Sequence, residues 1–288
     1  MVRVSARLWE RNVATVAQVL QTEWLTEIAR GTLDTVRIEQ FLAVDEKFLA
    51  SYWRCLGLLC YTAETEWERA LLSGQSQAIF AELDSIGALR RAAQKPTRAW
   101  PLSETASNET ETTLSVNEWR SLPVSQGLLE ACDGYLRLLF DASRALLGAL
   151  AHASSSANSL ENASFSSSAP WRRERMLLVA ALVPCMSLYA YLGRTLASAQ
   201  TILEADAPVN AVCKEWVETY RSADFQQRSE RLEQLLDSCF EEWCSATGDA
   251  EDEVVTLLDT LAYAPAMRFE KALFEAANQL EGSSALSR

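Results

Sequence analysis

The stretch "WRRERMLLVAALVPCMSLYAYLGRTLASA", Trp171 to Ala199, limits the choice of fold more than any other part of the chain. It reads as one long helix, among the most apolar in the sequence, and a helix of that kind has to be enclosed by other elements. Pro184 stands in its interior, where it removes a backbone hydrogen bond and crowds the preceding turn at a cost of about 3 kcal/mol. Cys185 follows directly, and Tyr189 lies one turn on, along the same face. A breaker, a thiol and a phenol together in a core helix call for an explanation.

Helical periodicity continues outside this stretch, and no alternating strand pattern competes with it. A first helix is expected from Leu8 to Ala29, stopped by Gly31. A second starts at Asp34, whose carboxylate can cap it. It carries the apolar stripe Phe41, Val44, Phe48, Tyr52, Cys55 and ends or bends near Tyr61. Further helices are expected over Gln75–Ala93, Gln126–Ala151, Arg172–Ala199, Val209–Arg221, Asp224–Ala246 and Asp249–Leu280. Two stretches rich in Ser, Thr, Asn and Pro have too little apolar surface to offset their ordering entropy. They read as loop insertions, over 94–124 and 152–170, with a frayed tail at 281–288. No fixed repeat period is present, so the expectation is one all-α domain over 1–288.

Composition removes several classes of function. Net charge is −13, which disfavours a nucleic-acid partner, because phosphate backbones are bound by concentrated Lys and Arg. No uninterrupted apolar run reaches the roughly 20 residues that a bilayer crossing needs, so no membrane partner is expected. A single histidine, His152, leaves nothing for a haem ligand, a pair of Glu-x-x-His motifs, a zinc site or a Ser-His-Asp triad. No metal and no cofactor are expected. Seven scattered cysteines and an opening "MVRVSARLWERN" without an apolar leader core fit reduced thiols in the cytoplasm.

Ionisable groups fall on apolar stripes in three places. Asp45 lies between Phe41 and the pair Phe48 and Leu49; Glu270 lies among Met267, Leu273 and Phe274; Cys185 and Tyr189 share the proline-interrupted helix. A buried, unpaired carboxylate costs several kcal/mol, so each acid needs a partner or a ligand. Taken singly, each also has a plain reading. Asp45 and Glu270 can turn to solvent beside Lys47 and Lys271, and a buried cysteine is usually a small hydrophobe.

Read together and in order, these stretches resemble the TenA-type thiaminase II family. "IARGTLDTVRIEQFLAVDEKFLASYWR", "LVPCMSLYAYLG" and "WVETYRSADF" match its successive motifs, and "FEKALF" matches its last one more loosely. The resemblance runs from about Leu8 to Ala277, outside the two Ser/Thr-rich stretches. It implies a haem-oxygenase-like helical bundle without haem. It makes Cys185 the nucleophile, Glu270 the acid/base and Asp45 the carboxylate that holds an aminopyrimidine. Tyr189 corresponds to the tyrosine supporting the cysteine. The substrate-facing set is Phe41, Phe48, Tyr135, Tyr189 and Tyr220. The implied chemistry is water-dependent release of hydroxymethylpyrimidine from thiamine or aminopyrimidine for thiamine salvage, in a homo-oligomer that is commonly a tetramer.

The chain departs from the family at Val44, usually Gln, at Phe48, usually Tyr, and at Cys132 and Cys213 where ring-contacting tyrosines are common. These losses keep a second reading open, a catalytically inactive relative serving as a pyrimidine-binding or protein-interaction module. A third, a cofactorless oxidase like the pyrroloquinoline-quinone synthases, fits poorly with a single histidine.

Overall fold

The computed structural model describes residues 3–93, 124–156, 170–203 and 211–279, and among them there is no β-strand. The helices are α1 (Val4–Leu20), α2 (Glu23–Arg30), α3 (Thr35–Tyr61), α4 (Glu66–Ala93), α5 (Gln126–Ser156), α6 (Pro170–Leu203), α7 (Ala211–Arg221), α8 (Ala223–Thr247), α9 (Glu251–Leu258) and α10 (Ala264–Ala277). A π-helical turn, Asp259–Tyr263, joins the last two.

The apolar helix of the sequence is α6, and the others wrap it. It packs on α5, α7 and α8 and also meets α2, α3 and α10. From Met176 to Gly193 every residue is buried except Cys185 and Tyr191, which are half-buried. By length and composition α6 is apolar enough to cross a membrane, yet 89% of its apolar window is covered by the rest of the bundle. Its hydrophobicity is spent on the core.

Several boundaries differ from expectation, each for a physical reason. The first helix is two, because the chain is extended at Thr22 and α2 starts afresh. The Asn278 side chain, from just past the end of α10, accepts the Trp24 backbone N–H at 2.7 Å and caps that start. Helix α4 begins well before Gln75. Thr65 and Glu68 form a reciprocal capping box, with Thr65 Oγ1 accepting the Glu68 N–H and Glu68 Oε2 accepting the Thr65 N–H, both at 3.1 Å. Arg175 of α6 then clamps Glu68 in a buried ion pair at 2.5 Å.

The last expected helix is interrupted by the π turn. Pro265 cannot donate to Leu261 four residues earlier, and the wider turn over Asp259–Tyr263 absorbs that loss. Of the expected insertions, residues 152–156 continue α5 and Pro170 opens α6, so the second begins later than the sequence suggests. Residues 94–123, 157–169 and the tail lie outside the described residues. Gly31 closes α2 in the left-handed region at φ 65°, and Asp34 Oδ1 caps α3 by accepting the Val36 N–H at 2.8 Å.

Gly193 sets the distance between α6 and α7. A Cβ there would lie 2.4 Å from the Tyr220 carbonyl carbon and 2.5 Å from the Arg221 nitrogen. Both are backbone atoms that cannot turn aside. Gly193→Ala is therefore expected to destabilise the protein by about 1–3 kcal/mol, despite alanine's better helix propensity. Denaturant unfolding measures this; an unchanged or raised midpoint contradicts such a close approach.

Candidate active site

Helices α3, α4, α6, α7 and α8 converge on a water-sized void of about 10 Å³. Its polar wall is Asp45 and Tyr52 from α3, Glu82 from α4, Cys185 and Tyr189 from α6, and Tyr220 from α7. Two further voids of the same size share this wall. One, bounded by Phe41, Val44, Phe48 and Leu273, shares Asp45 and Tyr189; the other, beneath Trp216, shares Glu82 and Tyr220.

The backbone around Cys185 is held by two phenols. Pro184 has no N–H for the Ala180 carbonyl, and its ring disturbs the rungs beside it. Tyr135 of α5 donates its hydroxyl to the Ala181 carbonyl at 2.8 Å. Tyr52 of α3 donates to the Leu182 carbonyl at 3.4 Å. Helix α6 runs unbroken through Pro184, with the two carbonyls that follow Ala180 tied to neighbouring helices.

Electrostatically the site is one-sided. Glu270 of α10 is 1% exposed and neither carboxyl oxygen has a partner at hydrogen-bonding geometry; the Cys185 thiol is near enough to couple to it without completing such a bond. Burial, with Asp45 adding to it, pushes Glu270 up to about 8. Asp45 is half-buried overall, but its Oδ2 is shut off from solvent and unpaired. Burial and the nearby Glu82 hold it well above the usual carboxylate range. Burial also raises the Cys185 thiol, and Glu270, Asp45 and Glu82 raise it further. No Lys, Arg or His lines the void. Lys47, beside Asp45 in sequence, is engaged with Asp133 at 2.5 Å.

Such a cluster favours neutral, protonated acids while empty. A cationic ligand would reverse that preference, because its charge favours the ionised carboxylates. Among the described residues no group of three or more His, Cys, Asp or Glu is placed to hold a metal ion.

Comparison with known proteins agrees with this architecture. Residues 163–261 match the TENA/THI-4/PQQC family. The TenA homologue from Pyrococcus furiosus superposes with a TM-score of 0.62 over 95% of this chain and 99% of its own, at 14% identity. A TenA family transcription regulator from Silicibacter sp. gives 0.61 over 94% and 96%, at 16% identity. The chain shares the fold of these TenA homologues. The Bifunctional TH2 protein, mitochondrial, of Arabidopsis thaliana is 32% identical over 96 residues. That match spans 33% of this chain and only 14% of the longer plant protein.

The family segment holds Cys185, Tyr189 and Tyr220, whereas Asp45, Glu82 and Glu270 come from outside it. On the TenA-type fold, Asp45, Cys185, Tyr189 and Tyr220 line the central void, and Glu270 couples to both Asp45 and Cys185. Phe41 and Phe48 line the adjoining void. Phe41 is also stacked on Phe274 at 5.7 Å and packed on Trp24 at 4.5 Å. Tyr135 lines none of the three voids: it is fully buried behind Phe48 at 4.8 Å, with its hydroxyl committed to α6. Glu82 and Tyr52 are the polar wall residues that sequence reasoning passed over. The signal for Glu82 was present, since it falls between Ile79 and Ile86 on the apolar stripe of α4.

The position of Glu270 has a consequence for stability. Its pKa is about 8 in the fold against the ordinary 4.5, so between those values the folded protein binds more protons than the unfolded chain. Stability therefore falls as pH rises through that window, by up to on the order of 5 kcal/mol for this group. Glu270→Gln, which cannot ionise, is expected to match the parent's melting temperature near pH 5 and exceed it above pH 8. An equal difference at both pH values contradicts the raised pKa.

Proposed function

We propose that the protein is a thiaminase II-like hydrolase that releases hydroxymethylpyrimidine from aminopyrimidine or thiamine. The observation that carries this reading is the meeting of Asp45, Cys185 and Glu270 in one dry place. They lie far apart in sequence and come from α3, α6 and α10.

Each group has a task that its surroundings suit. Asp45 accepts hydrogen bonds from the amino group of the pyrimidine and orients the ring. The positive charge of the ligand lowers the pKa values around it, so Glu270 becomes a carboxylate and takes the proton of the Cys185 thiol. The thiolate sulfur then adds to the electron-poor ring. Glu270 passes that proton to a ring nitrogen, and the cationic amine or thiazolium leaves the exocyclic methylene with the bonding electron pair, as neutral ammonia or thiazole. Glu270, again a carboxylate, removes a proton from the incoming water, whose oxygen bonds to that carbon. Expulsion of sulfur, which takes up the ring-nitrogen proton, restores aromaticity and the thiol. One acid with a pKa near neutrality serves both proton transfers.

The central void holds about one water, so a pyrimidine enters only as the wall opens. Met186, an unbranched side chain on that wall, is the easiest to displace. The closed void and the protonated thiol also favour, as a second reading, a pyrimidine-binding module without turnover.

Incubation of the purified protein with aminopyrimidine and with thiamine, followed by chromatography of pyrimidine products, separates the two readings. The hydrolase forms hydroxymethylpyrimidine, and Cys185→Ser lowers turnover by about 10³-fold or more while the protein stays folded. Full turnover by that variant removes Cys185 as nucleophile. Tight binding of hydroxymethylpyrimidine with no turnover of either compound favours the module.

A further inference from the structure

The three carboxyls are not equivalent: Glu270 is buried, Asp45 and Glu82 half-buried. Glu270 has no hydrogen-bond partner and no cation acting on it, and Asp45 Oδ2 is unpaired. Glu82 differs. Its Oε1 accepts the Tyr220 hydroxyl at 3.1 Å, and Arg228 of α8 acts on it electrostatically from outside the void. Arg228 itself does not reach the ligand space; it lies over the Phe225 ring at 5.1 Å and pairs with Asp224 at 3.0 Å. Burial raises Glu82, while Arg228 and the Tyr220 hydroxyl pull it back. Glu82 is thus the carboxyl of the cluster best supported as an anion.

Tyr220 is a rigid donor. Its ring is 4% exposed and meets Tyr189 at 4.8 Å, Trp216 at 4.7 Å and Phe225 at 5.0 Å, all edge-on. The carboxylate it holds sits on the same void as Asp45 and Cys185, with the phenol rings of Tyr52, Tyr189 and Tyr220 around it. A carboxyl with Arg228 behind it, aromatic faces and no resident cation together make a place for a positively charged nitrogen.

We infer that Glu82 is a specificity-determining residue: it holds a protonated amine substituent of the ligand while Asp45 orients the ring. This rests on the pyrimidine reading above and refines it. The site favours a ring bearing a cationic aminomethyl group over the same ring bearing a neutral hydroxymethyl group, so the product is held less firmly than the substrate. Glu82 acts as an electrostatic contact and exchanges no proton in the reaction.

The test is calorimetry at pH 7 on the full chain in a Cys185→Ser background, which prevents turnover. Aminopyrimidine and hydroxymethylpyrimidine are titrated in turn. Adding Glu82→Gln keeps the shape and removes the charge. It should weaken aminopyrimidine binding about tenfold or more while hydroxymethylpyrimidine changes by less than about twofold. Equal weakening of both ligands, or no change in either, overturns the assignment. Tyr220→Phe keeps the ring and removes the donor. It should give a smaller loss confined to the amine, and it carries the test alone if the Glu82 variant does not fold. If the Cys185→Ser protein binds neither compound, the pyrimidine reading itself fails, and this inference with it.

Discussion

A carboxyl group in a dry interior must keep its proton or find positive charge, and the centre of this bundle holds three such groups within reach of one thiol. Asp45, Glu82 and Glu270 raise the Cys185 thiol, and Asp45 raises Glu270. The wall of the void offers no Lys, Arg or His in return. An arrangement so unfavourable when empty lowers stability unless a ligand relieves it. A cationic, hydrogen-bonding ring meets those requirements, while an anion or a purely apolar guest would leave the carboxyls uncompensated.

The rest of the fold holds that cluster in place. Helix α6 carries Cys185 and Tyr189 through the middle of the bundle, and its partners hold it on either side of Pro184. Tyr135 and Tyr52, from helices on two sides, bond the carbonyls of Ala181 and Leu182. Where α6 passes α7, Gly193 allows backbone contact and thereby brings Tyr220 to Glu82. The π turn before α10 lets the chain pass Pro265 while Glu270 stays buried on the core side. Each irregularity thus lies on, or directly beside, an element that carries a site residue.

The helical class was legible because it depends on local pattern, whereas Asp45, Cys185 and Glu270 stood out only singly and were joined by the resemblance to a known family. Apolar periodicity marks the helices, and an acid on an apolar stripe stands out by its spacing. Glu82 carried the same signal between Ile79 and Ile86 and was missed because no family motif drew attention to α4. The break after Leu20 was not legible, since its cap comes from Asn278 at the far end of the chain. The start of α4 was readable from Thr65 and Glu68, a capping box written in four consecutive residues. The task of Tyr135 was hidden for another reason. A phenol aimed at a ligand and one aimed at a backbone carbonyl look alike in sequence, and only packing puts its hydroxyl on Ala181.

The central claim is that the empty site keeps its proton on Glu270 and gives it up to positive charge. Infrared difference spectroscopy with isotopically labelled glutamate, comparing the protein with Glu270→Gln, reads that carboxyl directly. The account predicts a protonated Glu270 band at pH 7 that titrates near pH 8 and disappears when aminopyrimidine binds. A Glu270 already ionised at pH 6 in the free protein, or a band unmoved by a bound cationic pyrimidine, contradicts it.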